Sequence, residues 1–422
     1  MHKMMKLQGA AEHAPDRFNA LALFRASGKV KSSDIVKAVA GLLTQAETIE
    51  LTPSGTLHVL VAIAPKHLSN HDAAEAIDEQ WSQKTEKKLI SGAPAMQKLS
   101  KEDGQADVLV QVAASVEDDR VFALRLAEGI LRQGGLELAR EWFGTPQLVN
   151  RDPFGFRSAI ANPWEPKPGT GDAAAQRDEF ARIADGPLEG ASWLLHRQYV
   201  QDVDAFIKLD PSKRERVIGT KPNGSDLPDS PRKSHVGMAR RYREEGRGLL
   251  VRRGFHFRED GQEGLAFLAI ARELEAFLQA DEEMEGGDAI LDFVTGTGGG
   301  VYLVPPTAEW LLAGVRPAAV PPAAKDVQRY EAPLELLEVV PAFKTYMMLI
   351  KLHGTFVGDL GQQRVMPEVA NLVREAHKII AKKSSPKEWE ELAQQMDDAL
   401  NKAITNANAV NDQAGEYITI QG

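Results

Sequence analysis

The stretches RFNALALFR, Arg17 to Arg25, and TLHVLVAIA, Thr56 to Ala64, each hold a short apolar run of the length expected for a buried strand. Ser33 to Gln45, between them, places its apolar residues at helical spacing. Together they predict a strand, helix, strand unit. Asp107 to Ala113 (DVLVQVA) predicts a third strand, and Glu117 to Gln133 predicts a helix that stops at a Gly pair. The first 150 residues or so are therefore predicted to be a mixed α+β unit.

A second unit of similar composition follows the Pro- and Gly-rich stretch Asn162 to Gly171, which predicts a linker or a long surface loop. Leu265 to Leu278 is apolar around most of its circumference, so it is either a strand that runs into a helix or one deeply buried helix. The other elements predicted in this unit are strands at Ala191 to Val200, Gly248 to Phe257 and Gly300 to Pro305, and a helix that begins in Gln201 to Leu209.

The last part of the chain has a different pattern. Pro317 to Ala324 (PAAVPPAA) marks a second boundary. Beyond it, helices are predicted at Leu334 to Ile350, Pro367 to Ala381 and Pro386 to Asn408, with Pro341 kinking or splitting the first. The predicted organisation is a half at 1–160, a second half at 161–320 and a helical extension at 325–422.

Composition excludes several classes of function. The chain has 422 residues, 43% of them apolar, a net charge of −10 and no Cys. The missing Cys removes disulfides, thiolate haem ligation and thiol nucleophiles. The negative charge argues against nucleic acid or anionic lipid as a partner, and Glu244 and Glu245 interrupt the basic run at Arg240 to Arg247. The N-terminal residues lack the apolar core of a signal peptide, so we expect a cytoplasmic protein that does not engage a membrane.

The side chains left for chemistry include one suggestive pair. His235 follows Ser234 in a Pro- and Lys-rich stretch, and Arg252 comes 17 residues later. A haem peroxidase needs at least two side chains at its haem. One is an imidazole that binds the iron on one side, and the other is a fixed cation on the opposite side. On spacing alone, His235 could equally be a surface histidine and Arg252 half of an exposed arginine pair.

Other motifs occur around that pair in a family's order and approximate spacing. The chain resembles the dye-decolourising peroxidases over about residues 5 to 306, weakly in the first 100 residues and strongly from 152 onward. The motifs that support this resemblance are GFRSAIANP at Gly155 to Pro163, GASWLL at Gly190 to Leu195, RKSH at Arg232 to His235, LVRRGF at Leu250 to Phe255, GLAFLAIAR at Gly264 to Arg272 and DAILDFVTGTGGGVYLVPP at Asp288 to Pro306.

The resemblance implies an α+β fold of two ferredoxin-like halves and a haem b cofactor held mainly by the second half. By position, His235 resembles the proximal iron ligand, and Asp292 resembles the acidic residue that hydrogen-bonds such a histidine. Arg252 resembles the distal arginine that binds peroxide. Leu265 and Phe267 fall where the family lines the distal pocket, and Arg197 is an expected partner of a haem propionate.

One position departs from the family. Where its members have Gly-x-x-Asp-Gly, this chain has Gly155, Phe156, Arg157, Ser158 and Ala159. The carboxylate that usually moves a proton between the peroxide oxygens is therefore replaced by the hydroxyl of Ser158. A hydroxyl can bind a water but cannot act as a general base near neutral pH, a contribution of about 10²- to 10⁴-fold.

The sequence therefore predicts a haem peroxidase of reduced activity. It would reduce hydrogen peroxide and oxidise an organic donor, with Trp193, Tyr199 and Trp164 as candidate routes for electrons. A haem-binding or assembly protein whose pocket does not turn over is the alternative, and a protein without haem is a third reading. We also expect a homo-oligomer assembled through the C-terminal extension.

Overall fold

The computed structural model describes residues 8, 16–50, 56–96, 105–146, 151–157, 179–244, 250–259, 261–285 and 287–313. Its contacts divide the chain into two units, residues 1–50 with 55–319 and residues 51–54 with 320–422. The described residues belong to the first unit. The predicted linker at 162–171 and the predicted C-terminal helices lie outside them.

The first half of the described unit is a four-stranded antiparallel sheet with two long helices that pack against each other and against the sheet. The elements are β1 (Phe18–Ala26), α1 (Ser32–Glu50), β2 (Leu57–Ile63), a 3-10 helix (Pro65–Leu68), α2 (Ala74–Gln80), α3 (Gln83–Ile90), β3 (Val108–Ala114), α4 (Glu117–Gln133) and β4 (Leu136–Phe143). The strands follow the order β4-β1-β3-β2, the order of a ferredoxin-like fold. Two short helices, α2 and α3, lie between β2 and β3.

The second half repeats this order as β9-β5-β8-β6, with the short strand β7 also paired to β8. Where the first half has the single helix α1, the second half has three helices between its first two strands. The elements are a 3-10 helix (Gly186–Leu188), β5 (Ser192–Gln201), α5 (Val203–Ile207), α6 (Pro211–Ile218), α7 (His235–Glu244), β6 (Val251–Arg252), β7 (Phe255–Glu259), β8 (Gln262–Ala271), α8 (Glu275–Glu285), a 3-10 helix (Ala289–Phe293), β9 (Val294–Val304) and α9 (Ala308–Ala313). The prediction of an α+β, ferredoxin-like fold is confirmed.

The two sheets join into one sheet that curls back on itself. β2 and β9 meet at the single pair Ile63 and Leu303. At the opposite edges, an isolated bridge joins Gly144, just after β4, to Phe257 of β7. The inward faces of both halves form one apolar core, in which side chains such as Leu60, Trp142, Leu194, Leu268 and Tyr302 pack together.

Two of the glycines in β9 lie close to neighbouring atoms that a Cβ would meet. A Cβ on Gly300 would lie 2.7 Å from the Gln105 Oε1, and a Cβ on Gly299 would lie 2.7 Å from the His196 carbonyl oxygen. Side chains cannot be accommodated at such distances. The GTGGG stretch therefore serves packing against the neighbouring strand and the first half, and it lacks the features of a phosphate loop.

Several predicted elements have different bounds. Leu265 to Leu278 is a strand followed by a helix, the first of the two alternatives. The strand predicted at Gly248 to Phe257 is two short strands, separated by Arg253 and Gly254. β4 was not predicted, because its sequence LELAREWF places three charged residues in an edge strand.

Candidate active site in the second half

His235 begins α7, and the residue before it fixes that start. Ser234 is fully buried, and its hydroxyl accepts a hydrogen bond from the Gly237 backbone N–H at 3.1 Å while it donates to the Pro231 carbonyl at 2.7 Å. This is an N-cap, which satisfies one of the free N–H groups of the first helical turn. A Cβ on Gly237 would lie 2.5 Å from the Pro231 oxygen, so glycine is required there. The position of His235 is thus set by local capping.

The ring of His235 is oriented by a buried carboxylate. Its Nδ1 lies 2.8 Å from Oδ2 of Asp288, which has no exposed side-chain surface, whereas the His235 side chain is 37% exposed. The second oxygen of Asp288 accepts the Ile290 N–H at 3.1 Å and so caps the 3-10 helix that follows. A carboxylate accepts hydrogen bonds, so Nδ1 carries the proton and the Nε2 lone pair remains for a metal.

The expectation for Asp292 needs correction. Asp292 lies on the exposed side of that 3-10 helix. The carboxylate that meets His235 is Asp288, four residues earlier, because the capping turn directs the side chain at 288 inward. A backbone hydrogen bond from the Ala289 N–H to the Lys233 carbonyl, 2.9 Å, holds this turn beside the loop that precedes α7.

A second group of predicted residues lies on one face of the sheet. β6 and β8 pair Arg252 with Ala269, and β5 and β8 pair Arg197 with Phe267 and Tyr199 with Leu265. In antiparallel pairs, directly opposed residues project from the same face. Arg252, Phe267 and Leu265 therefore share the outer face, opposite to the core face of Val251, Leu268 and Ile270.

Arg197 has a structural partner instead of the predicted one. Its Nη1 lies 2.6 Å from the Asp281 Oδ1, its Nη2 lies 2.5 Å from the Asp281 Oδ2, and its Nε and Nη2 both donate to the Leu89 carbonyl. Burial alone lowers the pKa of Arg197, but Tyr199 and Asp281 outweigh it and hold that pKa above its ordinary value. All three guanidinium nitrogens are engaged in the interior. The structure therefore does not support the propionate role predicted for Arg197.

The same ion pair shows where the helices lie. Asp281 belongs to α8, so α8 covers the face of the sheet that also bears Arg252 and Phe267. α7 packs against α8. His235 is consequently held in the helical layer on the same side of the sheet as Arg252.

Ser158 lies outside the described residues, but the loop that leads to it is described. Asp152 accepts the Phe156 N–H on Oδ1 at 2.8 Å, and Gly155 turns the chain with a φ of +89°. Burial raises the pKa of Asp152 to about 6, although these amides and the neighbouring His235 act in the opposite direction. Sequence reasoning did not single out Asp152 or Asp288.

The three candidate electron routes have different surroundings. The Tyr199 ring meets the Phe267 ring edge to face, with 6.4 Å between centroids. Trp193 is fully buried, and Trp164 lies outside the described residues. Tyr199 is thus the candidate in contact with a residue of the predicted distal pocket.

Fold and site together define a protein of two fused ferredoxin-like halves, with an imidazole and an arginine placed over the second half. Residues 150–309 match the family model "Dyp-type peroxidase, C-terminal". The part of the chain that bears the candidate site therefore matches the Dyp-type peroxidases, which confirms the predicted resemblance and the prediction of a haem peroxidase.

Solved structures of this family resemble the fold. A dye-decolorizing protein from Vibrio cholerae is 25% identical, with a TM-score of 0.56 over 72% of this chain and 99% of that one. A putative Dyp-type peroxidase from Shewanella oneidensis is 19% identical, with a TM-score of 0.60 over 74% and 99%. A variant of DypB from Rhodococcus jostii in complex with heme is 20% identical, with a TM-score of 0.56 over 73% and 98%. The search of curated proteins gave no match. No helix among the described residues is long and apolar enough to cross a membrane.

Proposed function

We propose that the chain is a haem b peroxidase in which His235 binds the iron through Nε2 and Asp288 fixes the ring. The observation that carries the proposal is the 2.8 Å hydrogen bond between Nδ1 and the buried carboxylate. Metal-bound histidines typically donate their other N–H to such a group, which sets the tautomer and makes the ring a stronger donor. The residues therefore fit a haem. When bound, haem supplies the redox centre at which hydrogen peroxide is reduced to water.

The chain's own residues bind and orient the peroxide. Arg252 hydrogen-bonds its oxygens and stabilises the negative charge that develops as the O–O bond breaks. Phe267 and Leu265 exclude water from this side, which strengthens that interaction. Ser158 holds a water or a peroxide oxygen by hydrogen bonding. An organic donor then supplies two electrons, and two protons complete the two water molecules.

The ultraviolet-visible spectrum of the purified, haem-supplemented protein tests this proposal. We expect a Soret band that shifts after one equivalent of hydrogen peroxide. His235→Gly should lose the band, and added imidazole should restore it because a free ligand can fill the vacated position. A band that stays unchanged with peroxide would support the alternative, a haem-binding or assembly protein. Absence of any band in the unaltered protein would overturn the assignment of His235.

The wider organisation is also part of the proposal. The chain would comprise halves at 1–160 and 161–320 and an extension at 325–422 that joins subunits into a homo-oligomer, in the cytoplasm. Truncation after Ala324 tests the extension. Light scattering gives the number of subunits per particle. If this number is the same in the truncated protein, the assembly role is contradicted.

A further inference from the structure

One polar side chain interrupts the interior of β3. The strand reads VLVQVAA and is buried along its whole length, and Gln111 has no exposed surface. It lies opposite Leu21 of β1 and Leu60 of β2, both of which belong to the apolar core. An amide in such a place is unfavourable unless its hydrogen bonds are made, so its partners indicate its role.

Gln111 hydrogen-bonds twice to one residue of the other half. Its Nε2 donates to the Arg253 carbonyl at 3.0 Å, and its Oε1 accepts from the Arg253 Nε at 3.3 Å. Arg253 is fully buried, and its backbone N–H donates to the Leu268 carbonyl of β8 at 2.8 Å. The amide of Gln111 thus holds both the main chain and the side chain of Arg253 from across the core.

Arg253 immediately follows Arg252, the last residue of the short strand β6. β6 has two residues and pairs only with β8 in the described part of the sheet. Successive residues of an extended chain point to opposite faces. With Arg253 fixed inward, Arg252 is directed to the outer face, where Phe267 and Leu265 lie.

We propose that Gln111 is a positioning residue for Arg252, so that the first half of the chain sets the distal arginine of the second half. This inference rests on the proposed function. Gln111 does not contact peroxide or haem in it. Its effect arises because a displacement of about 1 Å in a catalytic group can reduce a rate about a hundredfold.

The chain offers a matched control at Gln105. This side chain also makes two hydrogen bonds from the first half to one residue of the second: Nε2 donates to the Val301 carbonyl and Oε1 accepts the Val301 N–H, both at 2.6 Å. Val301 belongs to β9, which does not carry Arg252. Loss of this link should cost stability by the same mechanism without moving the arginine.

The experiment compares Gln111→Met with Gln105→Met in the full-length, haem-loaded chain. We expect Gln111→Met to lower the second-order rate constant for hydrogen peroxide about tenfold to a hundredfold, with unchanged haem content and unchanged KM for the organic donor. Gln105→Met should retain that rate constant to within about twofold. If Gln111→Met does not fold, Gln111→Glu takes its place in the comparison. This variant keeps the acceptor but loses the N–H that donates to the Arg253 carbonyl.

Two readouts separate positioning from general destabilisation. In the Arg252→Leu background, Gln111→Met should cause no further loss of rate, because residues that act as a unit are not additive. Hydrogen exchange measured by mass spectrometry should accelerate in residues 250–254 in Gln111→Met and not in Gln105→Met. This second readout does not depend on turnover.

Equal rate losses in the two glutamine variants, or additive losses in the double variant, would overturn the positioning role while leaving the proposed function intact. If Arg252→Leu alone leaves the peroxide rate constant unchanged, the proposed function fails at its distal residue, and the inference is overturned with it. The two failures are therefore distinguishable in one set of variants.

Discussion

The ring of His235 and the carboxylate of Asp288 form a directional pair, 2.8 Å between Nδ1 and Oδ2, in which the carboxylate is completely buried and the imidazole is partly exposed. The two residues are 53 positions apart, on α7 and at the cap of a 3-10 helix. A buried acceptor beside an accessible ring holds one nitrogen and leaves the other for a ligand.

Replacement of the carboxylate tests that pair. Asp288→Asn keeps the shape and a hydrogen-bond acceptor but removes the negative charge, so the ring becomes a weaker donor to iron. We expect haem affinity or peroxide reactivity to fall about 10- to 100-fold, measured by haem titration and by stopped-flow kinetics. The exposed Asp292→Asn variant is the control and should behave as the unaltered protein. An equal effect in both variants would contradict the role assigned to Asp288.

Substitutions at position 158 test the role proposed for Ser158. Ser158→Asp restores a carboxylate where the family has one, and we expect the rate constant for peroxide to rise, by up to about 10²-fold, the lower end of what a general base contributes. Ser158→Asn supplies similar volume without a titratable group and should give no gain. If the aspartate variant binds haem and gains nothing, the result favours the alternative, a haem-binding protein without peroxidase turnover.

The interior ion pair of Arg197 and Asp281 should govern stability. Asp281→Ala leaves a buried guanidinium without its carboxylate, which costs about 3–5 kcal/mol in comparable pairs. We expect a loss of this size in the free energy of urea unfolding. The double variant Arg197→Met with Asp281→Leu removes both charges and should be less destabilised than Asp281→Ala. A double variant that is the less stable of the two would show that the pair contributes net attraction.

His196 should make the fold sensitive to acid. It is fully buried, no hydrogen-bond partner for either ring nitrogen is found among the described residues, and burial lowers its pKa to about 3. The unfolded chain takes up a proton near pH 6.5 and the folded chain does not until about pH 3. The contribution of His196 to stability is therefore constant above pH 6.5 and falls as pH decreases from 6.5 to 3, by about 5 kcal/mol over the whole interval.

His196→Leu should reduce this slope. Between pH 7.5 and pH 5, the loss of stability measured by urea unfolding should be smaller in His196→Leu than in the unaltered protein by about 2 kcal/mol. An equal loss in the two proteins would assign the acid sensitivity to other groups.

Local patterns predicted much of the fold. Three strands and two helices of the first half and the two alternatives for Leu265 to Leu278 followed from apolar periodicity, which depends only on neighbouring residues. Strand β4 and the shorter helices α2, α3, α6, α7 and α9 were missed. β4 is an edge strand whose exposed side chains, such as Glu137 and Arg140, hide the alternation that strands usually show. Pro211, at the start of α6, was a signal that could have been used.

The site was less predictable because its contacts are distant in sequence. Arg197 meets Asp281 across 84 residues, and no spacing rule indicates that pairing. Asp288 and Asp292 are both carboxylates in the same motif, and the capping turn that selects the first is a property of the folded backbone. Gln111 did carry a signal, as the only polar side chain in its strand.

The two halves share a strand order but differ in the connection between their first two strands. In the first half, the chain crosses from β1 to β2 through one helix, whereas the same crossing in the second half accommodates three helices and the histidine. Sheets of this kind tolerate growth at a crossing because the added chain lies outside the strand pairing. The second half therefore presents His235 from a connection that lies outside the strand pairing, so that changes in this connection leave the register of the sheet unaltered.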